Sequence, residues 1–398
     1  MARFNRAVLS NGLTIIHEER DVPVTTVMMG VQYGAMYESE EEKGISHFME
    51  HLCFKGTEKR TTEEVAKELE SKGGELNAFT SEEMTAYHVR LPSKHLEIAI
   101  DVIGDIFFNP IFPLEDVERE GNVICEEIKM YRDNPRAHSA LMLKNDLYEK
   151  PFGMSILGTE STVKAMTQSQ LLEKHRAIYT PENSVLCVVG SNSFGDVLKF
   201  AKKYTNMSRV GKKLNSLNVI KKSSSGSEKR HGLLQANLCL GAHFPELTSD
   251  KRYAAEVFNA ILGEGMSSRL FMEVREKEGL VYGVKSVLDL GRNYGYLEIW
   301  AGCDPPNKDK VIEIAKREFA NMKNLTKAEL KVAKEQVISK AIINSEGSDA
   351  EAIELINEEF ATKAENLYDF EDNVNSVTLE DVQDLAKDAK FSEFWVGP

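Results

Sequence analysis

Apolar and polar residues follow two different periods along the chain. Alternation with a period of two predicts strands, and apolar residues spaced three and four apart predict helices. In the first half these patterns predict strands at residues 13–18 and 24–34 and a strand pair at 76–91. They predict helices near residues 94–108, 114–131 and 136–148. Thr61 followed by Glu64 is a capping box, so another helix is expected to begin there and to end at Gly73-Gly74.

A polar segment, residues 207–230, separates the two halves of the chain and has the glycine and serine content of a linker. After it the order of predicted elements repeats: a strand at residues 234–243, a helix at 253–262, strands at 282–290 and 294–301, and helices through residue 387. A chain of 398 residues exceeds what one hydrophobic core normally serves. We therefore expect two domains, residues 1–206 and 231–398, joined by the linker.

The pentapeptide His47-Phe48-Met49-Glu50-His51 is the strongest chemical signal. On a helix, residues four apart lie on one face, so both imidazoles can reach a single ion while Glu50 lies beside them. Catalytic zinc takes three protein ligands and keeps a fourth position for water, whose proton a non-ligand carboxylate can accept. The order H-x-x-E-H therefore predicts a zinc hydrolase of the inverzincin type, although an amphipathic helix can also carry two histidines for packing alone.

Two glutamates share one face of the helix predicted at residues 114–131. The apolar positions of that face are Val117, Val123, Ile124, Ile128 and Tyr131. Glu120 and Glu127 are seven residues apart, nearly two full turns, so they point the same way, whereas Glu126 is rotated about 100° and is expected to meet solvent. Two aligned carboxylates on a buried face are costly unless a cation or hydrogen-bond donors receive them.

Together these features resemble the M16 metallopeptidases, the group of pitrilysin, insulysin and the mitochondrial processing peptidase. Their mark is H-x-x-E-H followed some 76 residues later by a glutamate ligand, and here 127 − 51 = 76. The resemblance implies that His47, His51 and Glu127 bind one Zn²⁺ per chain, that Glu50 is the general base, and that Glu120 orients a ligand histidine by a hydrogen bond. It also implies an α+β fold with two homologous domains of the LuxS and processing-peptidase metallohydrolase type, each a sheet backed by helices.

Further matches to the family lie along the whole chain. The segment Asn77-Ala78-Phe79-Thr80 resembles the edge strand of the family, which implies that Asn77, Ala78 and Phe79 bind an extended substrate by β-augmentation. Segments 151–159 and 179–183 resemble a loop near the cleft and the turn into a buried strand at residues 185–189.

The second half carries a match of its own. Arg275 and Tyr282 resemble the pair that supports the carbonyl region of the substrate, within a signature that also includes Gly265, Ser267, Ser268, Arg269, Leu270, Gly279, Leu280 and Val281. Glu264 departs from the pattern, because a glycine is common there, and makes the loop less flexible and more acidic. Taken singly, Asn77 could be a turn residue, Arg275 a surface arginine and Tyr282 a core residue of a strand.

The metal motif is not repeated in the second half. The positions aligned with its two histidines and glutamate are Val257, Ala260 and Ile261. One domain is therefore expected to perform the chemistry and the other to supply binding surface.

The resemblance implies a zinc endopeptidase that cleaves unfolded peptides or precursor segments, with water activated by zinc and Glu50. Longer members of the family fuse two halves, each about the length of this chain, with the zinc site in one half and the Arg and Tyr pair in the other. We therefore expect a homodimer that encloses a chamber, or a heterodimer with a related subunit. Two alternatives remain: a non-catalytic subunit that binds peptides, and another zinc hydrolase such as an amidase.

Composition narrows the class of protein. The formal net charge of −14 argues against nucleic-acid binding, which needs basic patches, and no apolar run reaches the 18 residues of a membrane span. The first residues lack a long apolar targeting segment, so a cytoplasmic location is expected. The five cysteines are odd in number, lie among apolar residues and lack C-x-x-C spacing, which predicts buried, reduced thiols.

Overall fold

The computed structural model describes residues 3–209, 211, 214, 217, 219–387 and 389–398. The strands in this part of the chain are β1 (Arg3–Val8), β2 (Thr14–Glu19), β3 (Val24–Val31), β4 (Glu75–Thr80), β5 (Thr85–Pro92), β6 (Ser184–Gly190), β7 (Ser225–Lys229), β8 (Ala236–His243), β9 (Val281–Gly291), β10 (Tyr294–Cys303) and β11 (Phe391–Gly397). The first eight helices are α1 (Ile45–Cys53), α2 (Thr62–Glu70), α3 (Leu96–Phe108), α4 (Leu114–Asp133), α5 (Pro135–Leu147), α6 (Glu160–Ala165), α7 (Gln168–Ile178) and α8 (Phe194–Tyr204). The remaining helices are α9 (Arg252–Gly263), α10 (Lys308–Ala320), α11 (Lys327–Asn344), α12 (Ser348–Ala361), α13 (Phe370–Ser376) and α14 (Leu379–Asp384).

The chain forms two compact units, each with its own sheet. The first unit comprises residues 1–128, 155–216 and 344–367, and the second comprises 129–154, 217–343 and 368–398. Each unit therefore takes a segment from the opposite half of the sequence. The predicted domain limits, 1–206 and 231–398, stay a prediction.

The first unit is built on a six-stranded sheet in the order β1-β2-β6-β3-β5-β4. Residues such as Val27, Met29 and Val188 face one side of the sheet and pack in the core with α1, α3, α7 and α8. Met28 and Cys187, the alternate positions, face the other side and pack against α12. Because both faces are covered, β3 and β6 are buried along almost their whole length.

The second unit is built on a five-stranded sheet in the order β7-β11-β8-β10-β9. One face packs in a core with α9 and α10 around Phe258 and Phe319. Helix α5 covers the other face, and Gly241 of β8 leaves room there, since a Cβ atom would lie 2.8 Å from Leu147 Cδ1 and 3.0 Å from Leu143 Cδ2. The fold class is thus α+β, with two sheets backed by helices.

Most predicted elements are present, with end shifts of a few residues. The capping box of α2 is formed as predicted, since Glu64 N donates to Thr61 Oγ1 and Thr61 N donates to Glu64 Oε2. Three strands were not predicted: β1, β7 and β11. Residues 225–229 of the predicted linker form β7, which pairs in parallel with β11. Part of that linker lies outside the described residues.

The predicted apolar face of α4 is partly wrong. Val117 and Ile124 are buried, but Val123 is 46% exposed and Tyr131 is 45% exposed. Glu126 is exposed, as predicted. The buried stripe is narrower than predicted because only one side of α4 packs on the core.

The five cysteines are all buried and free, as predicted. Among the described residues, the structure contains no helix that is both long enough and apolar enough to span a membrane.

Candidate active site

Helix α1 positions the two histidines of the motif. Its residues Phe48, Met49 and Leu52 are buried in the core of the first unit, and this packing fixes the rotation of the helix. The opposite side carries His47 and His51, whose rings lie 4.7 Å apart between centroids. The motif is therefore helical, as its spacing requires.

Glu127 of α4 meets both imidazoles. Its Oε2 lies 3.6 Å from His47 Nε2 and 3.8 Å from His51 Nε2. Among the described residues, this trio is the only group of His, Cys, Asp and Glu side chains with metal-ligand geometry, and its ligand atoms all lie within 4.8 Å of one another.

These separations fit a zinc ion better than hydrogen bonds. Both distances exceed the range of a hydrogen bond. Tetrahedral ligands about 2.0–2.2 Å from Zn²⁺ are separated by roughly 3.3–3.6 Å, close to the observed spacing. In addition, two imidazoles and one carboxylate are a ligand set typical of catalytic zinc. The trio can therefore hold zinc.

The electrostatics of the trio suit a cation. Burial, and secondarily the charge of His51, lowers the pKa of His47 to about 3, so its imidazole is neutral at neutral pH and its lone pair is available. Burial raises the pKa of the Glu127 carboxyl, while the nearby His51 opposes that rise. A half-buried carboxylate without a bound cation is thus unfavourable, and a metal ion would relieve that cost.

Glu50 lies beside the trio without belonging to it. Its Oε2 accepts a hydrogen bond from Thr80 Oγ1 on strand β4, which leaves Oε1 available. Burial raises the pKa of the Glu50 carboxyl, and the hydrogen bond from Thr80 opposes that shift. A raised pKa makes the carboxylate a better proton acceptor.

Glu120 of α4 lies behind His51. Its Oε2 lies 3.0 Å from His51 Nδ1, and its Oε1 accepts a hydrogen bond from Lys55 Nζ at 2.8 Å. Burial tends to raise the pKa of Glu120, but the hydrogen bonds from His51 and Lys55 outweigh it and the net pKa is lowered. An ionised Glu120 makes Nδ1 the protonated nitrogen of His51, and Nε2 then faces Glu127 with its lone pair free.

The sequence patterns did not indicate Lys55, and they placed Thr80 in the edge strand without a role at the site. Lys55 follows His51 by four residues, so helical spacing could have pointed to it. Thr80 lies on a strand, and nothing in the local sequence connects it with Glu50.

Strand β4 is an edge of the six-stranded sheet, beside α1. Ala78 packs against the core on the side of α1, whereas Phe79 packs on the opposite face near His88. Asn77 is exposed, and its Oδ1 accepts a hydrogen bond from Ala78 N at 2.8 Å. Ala78 and Phe79 thus point to opposite faces of the sheet, as neighbouring residues of a strand do.

Arg275 and Tyr282 lie together in the second unit. The guanidinium of Arg275 lies 5.3 Å from the ring of Tyr282 and 4.6 Å from the ring of Phe271, and Tyr282 is 84% exposed. Arg275 is part of a π-helical turn, Phe271–Lys277, a rare form that is frequent at functional sites. Glu264, the departure from the family pattern, forms an ion pair with Lys340, which offsets its added charge.

Comparisons with known proteins identify the family of the chain. Residues 14–160 match the model of insulinase (peptidase family M16), and residues 165–337 match the model of the peptidase M16 inactive domain. An uncharacterized zinc protease of Bacillus subtilis is 33% identical over 390 residues, which cover 96% of this chain and 94% of that protein. An uncharacterized zinc protease of Mycobacterium leprae is 32% identical over 354 residues, which cover 87% of this chain and 80% of that protein.

Solved structures show the same fold. A protease from Helicobacter pylori matches with a TM-score of 0.93 and 21% identity, over 100% of both chains. A peptidase M16 inactive domain from Pseudomonas fluorescens matches with a TM-score of 0.91 and 21% identity, over 100% of this chain and 98% of that one. The two family models together span most of the sequence, and the chain therefore belongs to the M16 family of zinc metallopeptidases.

Proposed function

We propose that this chain is a zinc-dependent endopeptidase that hydrolyses unfolded peptides or precursor segments. The observation that carries the proposal is the convergence of His47, His51 and Glu127, with Glu50 beside them and outside the trio. A structural metal site is usually closed by four protein ligands, whereas three ligands and an adjacent carboxylate are the arrangement of a hydrolase.

Each side chain then has a defined task. His47, His51 and Glu127 would hold zinc, which when bound supplies a Lewis acid that polarises the peptide carbonyl and acidifies water. Glu50 Oε1 accepts a proton from the attacking water and passes it to the leaving amine, while Thr80 holds Oε2. Together the trio and Glu50 support hydrolysis at neutral pH.

The substrate in this proposal is an extended peptide. The edge of β4 supports it, because Asn77, Ala78 and Phe79 lie on the last strand of the sheet, which has no further strand beside it in the described part of the chain, next to the helix that carries Glu50. Backbone hydrogen bonds to such an edge require an unfolded segment, since folded proteins rarely present a free strand.

Substitution of Glu50 tests the chemistry. Glu50→Gln should retain stoichiometric zinc and lose peptide hydrolysis, because the amide cannot take a proton. His47→Ala, His51→Ala and Glu127→Ala should lose zinc affinity as well. Elemental analysis measures the zinc content, and cleavage of a fluorogenic peptide library measures peptide hydrolysis. Full activity of Glu50→Gln, or full zinc in His51→Ala, would refute the assignment.

We further propose that the active form is a homodimer that encloses a chamber, in which Arg275 and Tyr282 of one subunit support the substrate carbonyl at the zinc site of its partner. The support is that one chain contains both sets of residues while having the length of half a fused family member. Mixing inactive Glu50→Gln with inactive Tyr282→Phe should restore part of the activity after subunit exchange. A fully active monomer in sedimentation, or no recovery despite demonstrated exchange, would contradict this assembly.

The competing function is a non-catalytic or heteromeric peptide-binding subunit, as in processing peptidases. It predicts that the purified chain binds zinc and peptides but cleaves only after a related subunit is added. Comparing peptides with simple amides as substrates also separates a peptidase from an amidase.

A further inference from the structure

A buried ion pair, Glu38 and Lys43, lies immediately before the motif helix. Both side chains are fully buried, and Lys43 Nζ lies 3.8 Å from Glu38 Oε2. Glu38 Oε1 accepts a hydrogen bond from Ser46 N at 2.7 Å, and Oε2 accepts one from Gly44 N at 2.9 Å. Gly44 is the N-cap residue of α1 and has no side chain to cap the helix. Glu38 therefore supplies the cap from outside the helix.

The other side of this pair is connected to strand β4. Lys43 Nζ donates to the carbonyl of Ala35 at 2.6 Å. Ala35 N in turn donates to Ser81 O at 3.0 Å, and Met36 N donates to Glu82 O at 2.9 Å. Ser81 and Glu82 form the turn directly after β4. The ion pair thus joins the start of α1 to the end of the edge strand.

A third segment restrains the same place. Thr162 Oγ1 donates to Lys43 O at 2.7 Å. Gly44 has a φ of +97°, and a Cβ atom on it would lie 2.5 Å from Leu157 O. A Cβ atom on Gly158 would lie 2.2 Å from Lys43 O. Gly158, in the loop that resembles the family, therefore packs closely against Lys43, the residue before the N-cap of α1, and the helix start has little freedom.

From this geometry we infer that Glu38 is a positioning residue for the zinc site. With Lys43 it determines where α1 lies relative to β4, and hence where His47 and Glu50 lie relative to Thr80. His47 directly follows Ser46, whose amide Glu38 holds. The inference rests on the proposed zinc peptidase function.

A double variant separates positioning from simple stabilisation. Glu38→Gln alone leaves the Lys43 ammonium buried without its counter-ion and is expected to unfold the protein more easily. Glu38→Gln combined with Lys43→Met removes both charges, so its melting temperature should stay near that of the wild type. Because an amide offers one acceptor where the carboxylate offers two, one helix amide loses its partner. Zinc affinity should then fall about tenfold, the lower end for residues that orient metal ligands, and kcat should fall while KM stays unchanged.

The matched control is Glu42→Gln with Lys174→Met. Glu42 lies in the same loop before α1 and forms a 2.8 Å ion pair with Lys174 of α7. The two side chains are 41% and 26% exposed, and neither caps α1. This variant should keep wild-type zinc affinity and kcat. Zinc affinity is measured by competition with a chromophoric chelator, and stability by thermal melting of the metal-free protein.

Glu38→Asp supports the test if the double variant does not fold. It keeps the negative charge for Lys43 but shortens the reach to the two amides by one carbon atom, so it should fold and bind zinc more weakly. Wild-type zinc affinity in a folded double variant, or in Glu38→Asp, would overturn the inference. If the wild type itself binds no zinc, the proposed function fails instead.

Discussion

Replacing Glu120 by Gln should weaken zinc binding by about 10- to 100-fold without unfolding the protein. Glu120 receives two donors, His51 Nδ1 at 3.0 Å and Lys55 Nζ at 2.8 Å, one on each carboxylate oxygen. A Gln side chain has one oxygen and one NH2 group. In either amide orientation, one of the two donors therefore faces another donor.

The magnitude follows from that lost contact. A hydrogen bond to a charged group contributes about 1.5–3 kcal/mol, and about 1.4 kcal/mol corresponds to a factor of ten in affinity. The Glu120 side chain is 7% exposed and Lys55 is 24% exposed, so solvent screens these contacts only in part. The contact holds His51 in the tautomer that offers Nε2 to the metal, and its loss is felt as weaker zinc binding.

Glu126→Gln is the matched control. Glu126 lies one residue before Glu127 on the same helix but is exposed, so the same chemical change should leave zinc affinity unaltered. Chelator competition gives the two dissociation constants, and circular dichroism checks that both variants are folded. Equal weakening of zinc binding in the two variants, or unchanged zinc affinity in Glu120→Gln, would refute the role of Glu120 in orienting His51.

Three further predictions concern neighbouring side chains and stability. Lys55→Met should lower zinc affinity less than Glu120→Gln does, because the hydrogen bond between Glu120 and His51 remains. Lys55→Arg keeps a donor for Glu120, so its zinc affinity should lie between those of Lys55→Met and the wild type in the same chelator titration. Burial lowers the pKa of His175 to about 3, so the unfolded chain gains a proton below pH 6.5 where the folded protein does not. The contribution of His175 to the free energy of unfolding is therefore full above pH 6.5 and is lost as pH falls towards 3, by about 1.4 kcal/mol per pH unit. In urea unfolding, His175→Gln should lose less stability than the wild type between pH 7 and pH 5. The same dependence of unfolding free energy on pH in both proteins would contradict this. Thr61→Ala should cost about 0.5–2 kcal/mol in urea unfolding through loss of the α2 capping box, and no measurable change would show that the cap is unimportant.

The local features of this protein were predictable from the sequence because they depend on neighbours in the chain. His47 and His51 are four residues apart, so one helix is enough to bring them together. The capping box of α2 is equally local. Burial of Glu120 and exposure of Glu126 follow from helical phase on α4. Helical phase also placed Glu127 on the same face as Glu120, but its role as the third ligand, 76 residues beyond His51, came only from the resemblance to a family.

Other features were decided by tertiary structure, because they depend on contacts between residues far apart in sequence. Strand β7 consists of serine, glycine and charged residues with no apolar alternation, and it becomes a strand only because β11 offers its edge. Val123 has the character of a core residue but is exposed, since the core of the first unit does not extend to that side of α4. Likewise, the hydrogen bond from Thr80 to Glu50 and the cap that Glu38 provides for α1 arise where separate segments pack together. Periodicity determines the faces of helices and strands, whereas only packing decides which faces meet.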